Sequence, residues 1–255
     1  MNNVKIELEW SYKPSDYFEE KIVLDRENYC IEIENGRIIA EMDANFFDSN
    51  TGLYDLLTRK LKDYFLGALP IRWRVFEISI GSINRKWPNR RQDTALQVQV
   101  AELIFAGENA DLYHTDTNGK VTGDTRRARI EATKTLAELS SCQAPTDSTV
   151  RRILDSFDAA VRYPGSELVY LYEVWEALQT RFRGEGKARK VLGIHRKKRS
   201  RLTKLADEEP LNQGRHRGKF AGKLRDATAN ELNEARTIAR DMYEKYLNYL
   251  NNRDL

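Results

Sequence analysis

The stretch SELVYLYEVWEALQTRFR, residues 166–183, carries the strongest secondary-structure signal in the chain and decides the class of its C-terminal part. Its apolar residues recur every three or four positions and form one wide stripe: Leu168, Leu171, Tyr172, Trp175, Leu178 and Phe182. This spacing matches the period of an α-helix that buries one face. Because Pro164 and Gly165 come just before it and Ser166 is a good capping residue, we predict a helix over Ser166–Arg183.

Helical periodicity continues on both sides of this stretch. Other helices are predicted near Ser148–Val161, near Lys187–Leu192 with Gly193 at its end, and from about Lys197 to Asp207. The last helix opens with Thr228-Ala-Asn-Glu231, a capping box in which the two outer side chains satisfy each other's backbone amides. The linker CQAPTDS (Cys142–Ser148) precedes these helices, so residues 148–255 are predicted to form an all-α helical bundle.

The N-terminal part has the period of β-strands. In VKIELEW (Val4–Trp10) apolar and charged residues alternate, which indicates a strand with one buried face. In YCIEIENGRIIAEM the pair Asn35-Gly36 separates two apolar runs, and Asn-Gly accepts the positive φ angles of a tight hairpin turn. Strands are therefore predicted at Tyr29–Glu34 and Arg37–Met42.

Further elements complete a mixed N-terminal domain over residues 1–142. Alternation predicts strands at Arg72–Ile83, where a phase shift indicates a bulge or burial on both faces, and at Ala95–Phe105. The apolar spacing between Leu53 and Phe65 predicts a helix that Gly67 and Pro70 close. The fold class is therefore α+β: a mixed β-rich domain over 1–142, followed by the helical bundle over 148–255.

Composition excludes several classes of protein. The 255 residues contain no uncharged apolar run long enough to cross a membrane, and the first residues do not read as a signal peptide, so we expect a cytoplasmic protein. Cys30 and Cys142 lack metal-ligand spacing and are expected to be buried free thiols. No phosphate-binding glycine loop, nucleophile elbow or zinc-protease motif is present, so neither a cofactor nor a metal is predicted.

Charge is distributed unevenly along the chain. Residues 181–225 contain 16 Lys and Arg against 4 Asp and Glu, a net charge of +12, which leaves −9 for the remainder. Such a block indicates a polyanionic partner, because each phosphate contact releases counterions. The predicted nucleic-acid-binding residues are Arg189, Lys190, Arg196, Lys197, Lys198, Arg199, Arg201, Lys219 and Lys223, with Leu192, Ile194, Leu202 and Leu205 facing inward. The alternative is a solvated helix face.

The stretch PLNQGRHRGKFAGK (Pro210–Lys223) supplies the candidate chemistry. His216 lies between Arg215 and Arg217, and one histidine with two arginines is able to deprotonate a 2′-hydroxyl and hold a phosphorane without a metal. The interleaved glycines favour close approach to phosphate. The alternative is a histidine that only hydrogen-bonds its loop. His195 is interpreted as a surface or capping residue, and a cation site at His114 is the weaker reading of its loop.

The C-terminal region from about Ser148 to Leu255 resembles the HEPN superfamily of small α-helical bundles. The resemblance rests on the order of a long aromatic helix (ELVYLYEVWEALQTRF), a basic helical hairpin, the loop NQGRHRGK and the final helix NELNEARTIARDMYEKYLNYL. Active members carry an Arg, four to six variable residues and a His, and His216 occupies the histidine position. The arginine position falls at Glu209, Pro210 or Leu211, so the usual motif is broken here.

The resemblance implies a function and a partner. It suggests a dimeric RNA-binding effector in a bacterial defence or toxin-antitoxin system, with RNA preferred to DNA and with a metal-independent endoribonuclease site at His216. We infer, apart from the resemblance, that Arg215 or Arg217 takes the place of the missing arginine. The resemblance also implies a sensor or regulatory role, and a protein partner, for the N-terminal domain. The alternative that stays open is a non-enzymatic dimeric scaffold whose basic face docks an acidic protein partner.

Overall fold

The computed structural model describes residues 4–87, 113–115 and 121–253, with side chains omitted for 113–115 and 121–123. Within these residues the chain is α+β, as predicted from the sequence, with an antiparallel sheet followed by a helical region. Contacts divide it into two units, residues 1–56 with 77–131, and residues 57–76 with 132–255. Residues 57–76 therefore group with the helices, whereas the sequence pattern places a boundary near residues 142–148.

The first unit contains the strands. They are β1 (Lys5–Lys13), β2 (Ile22–Arg26), β3 (Tyr29–Glu34), β4 (Arg37–Asp43), β5 (Glu77–Lys86), β6 (Tyr113–Thr115) and β7 (Val121–Asp124). The first five form one antiparallel sheet in the order β2-β3-β4-β1-β5, and β6 pairs with β7. The predicted strands at residues 4–10, 29–34 and 37–42 are thereby confirmed, while the strand predicted at 95–105 lies outside the described residues.

One face of the sheet is buried because apolar residues alternate in register across it. Leu8 pairs with Ala40, and Trp10 pairs with Ile38, which in turn pairs with Ile33 on β3. All five side chains are fully buried. The turn between β3 and β4 has positive φ at Asn35 (48°) and at Gly36 (81°), as the Asn-Gly pair predicts.

The strand β5 contains a bulge between Ile80 and Ile83, whereas the phase shift in the sequence falls between Val75 and Phe76, before the strand begins. Leu8 pairs with Ile83 and Trp10 with Ile80, so β5 contributes one extra residue. Gly81 makes this possible, since a Cβ there would lie 2.5 Å from the Glu9 carbonyl oxygen. The strand begins only at Glu77, later than the predicted residue 72.

The helices are α1 (Ala44–Ser49), α2 (Leu53–Arg72), α3 (Thr125–Gln143), α4 (Ser148–Arg162), α5 (Glu167–Phe182), α6 (Glu185–Leu192), α7 (Arg196–Thr203) and α8 (Ala229–Asn251). A π-helical turn over Lys204–Glu208 extends α7. The expectation that Gly67 and Pro70 close α2 was wrong, because the helix continues to Arg72. Gly67 instead permits close helix packing: a Cβ there would lie 2.5 Å from the Ser140 Cβ.

The core of the second unit is formed mainly by α4, α5 and α8. The predicted stripe of α5 is confirmed, with Leu168, Leu171, Trp175 and Leu178 fully buried. The phenol of Tyr243 shares a 2.7 Å hydrogen bond with the Ser140 hydroxyl. Burial of these apolar side chains, at about 25 cal/mol per Å² of apolar surface removed from water, is the main contribution to the stability of the bundle.

Buried ion pairs join these helices at defined points. Arg236 on α8 donates two hydrogen bonds, 2.7 and 2.8 Å long, to the buried carboxylate of Glu167 at the start of α5. Arg151 on α4 makes an equivalent pair with Asp63 on α2, at 2.6 and 2.8 Å. Because each carboxylate is buried and paired, loss of either arginine would leave an uncompensated charge in the core.

Three smaller predictions concern the caps of two helices and the two cysteines. The capping box of α8 is present, with Thr228 and Glu231 bonded reciprocally. Ser166 does not cap α5 with its side chain, since its ψ of 21° departs from the extended conformation of a capping residue; its hydroxyl accepts a 2.7 Å hydrogen bond from Arg217. Cys30 and Cys142 are free thiols as expected, but Cys30 is only half-buried and Cys142 is exposed, so the expected burial was wrong.

Candidate nucleic-acid interface

The basic hairpin is the pair of helices α6 and α7 with their connection, residues 185–203. Gly193 ends α6 with a left-handed φ of 63°, a conformation that glycine adopts without strain. Ile194 turns inward and is buried, and His195 caps α7 by accepting a 3.2 Å hydrogen bond from the Lys197 amide at Nδ1. The predicted capping role of His195 is therefore confirmed.

Apolar anchors on the inner side hold the basic hairpin against the rest of the second unit. Ala188, Leu192, Ile194 and Leu202 are buried, and Leu205 follows in the π-helical turn. The helix α6 packs against α5 and α8, and α7 packs against α8. The inward positions predicted at Leu192, Ile194, Leu202 and Leu205 are all confirmed, so the charged residues must occupy the remaining surface.

Cations on the inward flank of α7 are neutralised within the molecule. Lys198 lies 3.1 Å from Asp241 on α8, and Arg199 lies 2.9 Å from Glu185 on α6. Arg201 bridges two acids, Glu234 at 2.8 Å and Glu209 at 3.0 Å.

These pairs change the acids as well as the bases. Burial raises the pKa of the Asp241 carboxyl, but hydrogen bonds from Lys245 and Lys198 outweigh burial and hold the net pKa below its ordinary value. On α6, Arg189 lies 3.9 Å from Glu185, a looser pair within the helix. Four predicted contact residues, Arg189, Lys198, Arg199 and Arg201, therefore already have intramolecular partners.

Cations on the outward side of the basic hairpin remain unpaired. Lys190, Arg196 and Lys197 are exposed, and none has an acidic partner within the described part of the chain. Lys187, one turn before Lys190, shares this property and was missed by the sequence reasoning. Its signal was available, because positions 187 and 190 lie on one helix face. We call Lys187, Lys190, Arg196 and Lys197 the outward cations.

A groove runs beside this surface between α7 and α8. Its volume is about 550 Å³, and it is lined by Lys197, Lys198, Arg201, Asn233, Glu234, Thr237 and Ile238. Most of these side chains are polar, and the acid Glu234 is already held by Arg201. The aliphatic parts of these side chains, with Ile238, face the groove, and their charged ends lie at its rim.

The basic loop, residues 210–225, uses its arginines differently. Arg215 donates a 2.7 Å hydrogen bond to Glu176, and its guanidinium stacks over the Tyr172 ring at 5.1 Å. Arg217 donates to the Gly165 carbonyl at 2.8 Å and to the Ser166 hydroxyl at 2.7 Å. Both guanidinium groups thus hold the loop on α5 and on the turn before it.

His216 lies near the carboxylate of Asp207, which Arg215 also approaches. Its imidazole is exposed, and Nε2 lies 3.9 Å from the Asp207 carboxylate. Arg215 Nε lies 3.8 Å from the same Asp207 oxygen, so the structure brings Arg215 and His216 to one carboxylate, while Arg217 is held at Gly165 and Ser166. Lys219 and Lys223 are exposed, and the Lys219 ammonium lies 5.5 Å from the centre of the Phe220 ring.

One glycine of the basic loop, Gly214, serves its packing. A Cβ at Gly214 would lie 2.9 Å from the Ala206 carbonyl oxygen, so Gly214 allows the loop to approach the π-helical turn. The loop is closed where Arg225 contacts Glu231 at 2.7 Å and Glu209 at 3.1 Å. These contacts lower the pKa of Glu231 well below its ordinary value, chiefly through the Arg225 hydrogen bond.

Metal binding and membrane insertion are two further functions on which the described residues bear. The described residues contain no cluster of three or more His, Cys, Asp and Glu side chains with metal-binding geometry. The side chain of His114 lies outside the described residues, so its cation-binding reading stays a prediction. Among the described helices, none combines the length and apolarity that membrane crossing requires. Comparisons with protein-family models, curated proteins and solved structures find no match to this chain.

Proposed function

We propose that the protein binds nucleic acid through the outward cations of the basic hairpin. The observation that carries this proposal is the division of charge on one short helix: Lys198, Arg199 and Arg201 of α7 are paired with acids, and Arg196 and Lys197 are exposed without an acidic partner in the described part of the chain. Unpaired neighbouring cations repel one another, and phosphate groups remove that repulsion while releasing counterions.

The character of the exposed surface favours nucleic acid over an acidic protein. The exposed side chains of α7 are Arg196, Lys197, Lys198 and Ser200. Stable protein–protein interfaces have an apolar centre inside a polar rim. The exposed residues of α7 provide no such centre, whereas a phosphate backbone requires only cations and hydrogen-bond donors.

The geometry favours binding over cleavage by His216. A phosphorane intermediate needs free cations beside the general base, and both flanking arginines are held by Glu176, Gly165 and Ser166. We therefore expect RNA incubated with the protein in EDTA to stay intact, for the wild type and for His216→Ala alike. Cleavage by the wild type that the substitution abolishes would restore the ribonuclease reading.

Charge reversal tests the binding proposal directly. Arg196→Glu/Lys197→Glu reverses two outward cations without touching an ion pair, and we expect affinity for a mixed-sequence oligonucleotide at low salt to fall by about 100-fold or more. The matched control is Arg59→Glu/Lys60→Glu, which makes the same charge change at exposed positions of α2. Fluorescence anisotropy with labelled RNA and labelled duplex DNA gives both affinities.

Two results would contradict the proposal. One is a wild-type protein that binds neither nucleic acid at low salt, which would favour the acidic-protein partner. The other is an equal loss of affinity in the α2 control, which would make net charge, and not the outward face, the cause of binding.

A further inference from the structure

The geometry of the basic hairpin points to a more specific partner than nucleic acid in general. The two eight-residue helices α6 and α7 are joined by Gly193, Ile194 and His195 alone. In this segment α6 packs on α5 and α8, and α7 packs on α8 and on the turn that follows it. The two helices of a helix-turn-helix are joined by a turn of three or four residues that often contains glycine, and the connection between α6 and α7 matches that description.

The second helix is held firmly from behind. Leu202 is fully buried, and the pairs from Lys198 to Asp241 and from Arg201 to Glu234 tie α7 to α8 on one flank. On the other flank, Arg199 reaches back to Glu185 at the start of α6. A helix that is fixed on its inner side and both flanks presents its remaining face without further ordering, which lowers the cost of binding.

The remaining face of α7 carries side chains that recognise base edges. Arg196 and Ser200 are four residues apart on α7, so they lie on one line along the helix. Lys204 follows in the π-helical turn, where its ammonium lies 4.0 Å from the Glu209 carboxylate. All three are exposed. Arginine and lysine bind the guanine edge in the major groove, and serine bonds to several bases.

The first helix provides contacts of the other kind. Lys187 and Lys190 lie on the exposed side of α6. In helix-turn-helix docking the first helix crosses the phosphate backbone while the second enters the groove. The two exposed lysines of α6 are point charges suited to phosphates, and they stand next to the helix that carries the base-reading side chains.

The dimensions of the groove decide between the two kinds of duplex. An α-helix with its side chains is about 10–12 Å across, and the B-DNA major groove is about 12 Å wide. The major groove of A-form RNA is too narrow and deep to admit a helix. We infer that α6, the turn and α7 form a helix-turn-helix whose α7 inserts into the major groove of double-stranded DNA. This inference rests on the proposed function and replaces the preference for RNA.

A charge-neutral substitution separates groove insertion from general attraction. Ser200→Leu leaves the charge unchanged but places a bulky apolar group on the line of α7 that would face the bases. We expect duplex DNA affinity to fall by about tenfold or more, because the close approach is blocked and a hydrogen bond is lost. The matched control is Thr180→Leu, at an exposed hydroxyl of α5, and it should bind like the wild type.

The probes are a mixed-sequence DNA duplex of about 24 base pairs, the RNA duplex of the same sequence and the single-stranded RNA. We expect DNA duplex affinity to exceed both RNA affinities by about tenfold, and methylation of guanine N7 in the major groove to weaken binding. The helix-turn-helix would be overturned if the three probes bound with equal affinity and Ser200→Leu bound like the wild type. If Arg196→Glu/Lys197→Glu then still lost binding, the proposed function would stand. Absence of binding to every probe would overturn both.

Discussion

The basic hairpin and the basic loop are both rich in cations, but they differ in which cations are held. Within the described residues, the loop leaves only Lys219 and Lys223 exposed with no acid or hydrogen-bond acceptor at the side chain, and the hairpin leaves its four outward cations so. In the basic loop, Arg215 and Arg217 are consumed by contacts to Glu176, Gly165 and Ser166. In the basic hairpin the acids lie on the inner flanks only, and the outward cations stay in solvent. A cation that already holds a carboxylate or carbonyl must give up that bond to bind phosphate, so its net gain is smaller.

This difference shows that cation density alone does not locate a binding surface. The basic loop contains the histidine and the arginines that suggest chemistry, whereas its structure assigns those arginines to holding the loop in place. The basic hairpin matches no catalytic motif. Its outward cations, which are exposed and have no acidic partner in the described part of the chain, make it the better candidate for a nucleic-acid-binding surface. Substitutions that affect one region and spare the other test the distinction.

The largest effect is expected at the support of the basic hairpin. Leu202→Ala removes a fully buried side chain beneath α7 and should lower the free energy of unfolding by about 3 kcal/mol. Ser200→Ala, on the exposed face of the same helix, should change it by less than about 0.5 kcal/mol. Chemical denaturation of the two variants checks this, and equal stabilities would mean that α7 is not anchored through Leu202.

A slightly smaller effect is expected in the basic loop. Gly214→Ala places a Cβ 2.9 Å from the Ala206 carbonyl oxygen, and the required shift should cost about 1–3 kcal/mol. Gly218→Ala meets open space and is the matched control. If both variants melt at the same temperature, the loop is not packed as described, and its glycines regain the alternative role of admitting a phosphate.

The arginines of the two regions should separate stability from binding. Arg215→Gln breaks the pair with Glu176 and the stacking on Tyr172, and we expect a loss of about 1 kcal/mol in unfolding free energy. Arg196→Gln should leave stability unchanged and weaken nucleic-acid binding several-fold. Thermal melting and anisotropy on both variants give a two-by-two comparison, and a reversed pattern would exchange the roles of the two regions.

The smallest effect concerns the end of the basic loop at Glu231. Because Arg225 lowers the folded-state pKa of Glu231, its contribution to stability is full above the unfolded pKa of about 4.3 and is lost as pH falls through the folded value. Glu231→Gln should therefore be less stable than the wild type at pH 7, by less than about 1 kcal/mol, with the difference shrinking below pH 4. A difference that grows on acidification would contradict the assignment.

Local patterns predicted much of the fold. Alternation located β1, β3 and β4, and the helical stripe located α5, because burial of one face imposes those periods. The end of α2 was misread, since Gly67 is placed for contact with Ser140, which is distant in sequence. Ser166 was misread as a side-chain cap, since its backbone is not extended and its hydroxyl accepts a hydrogen bond from Arg217.

The candidate site was predictable only as a charged segment. Composition located the cations, but their acidic partners Asp241, Glu234 and Glu176 lie 33 to 43 residues away in sequence. The periodicity of a sequence indicates which face of a helix or strand is buried, but it carries no information about contacts between residues so far apart. The division into held and free cations is therefore a tertiary property, and it became visible only when the helices were placed against one another.

The most direct test of the distinction compares the salt dependence of nucleic-acid affinity for two double variants. Arg196→Gln/Lys197→Gln removes outward cations, and Arg215→Gln/Arg217→Gln removes cations of the basic loop. We expect the slope of log affinity against log salt to become shallower by about 2 for the first variant and to stay unchanged for the second. A slope that becomes shallower for the loop variant while the hairpin variant matches the wild type would contradict the account.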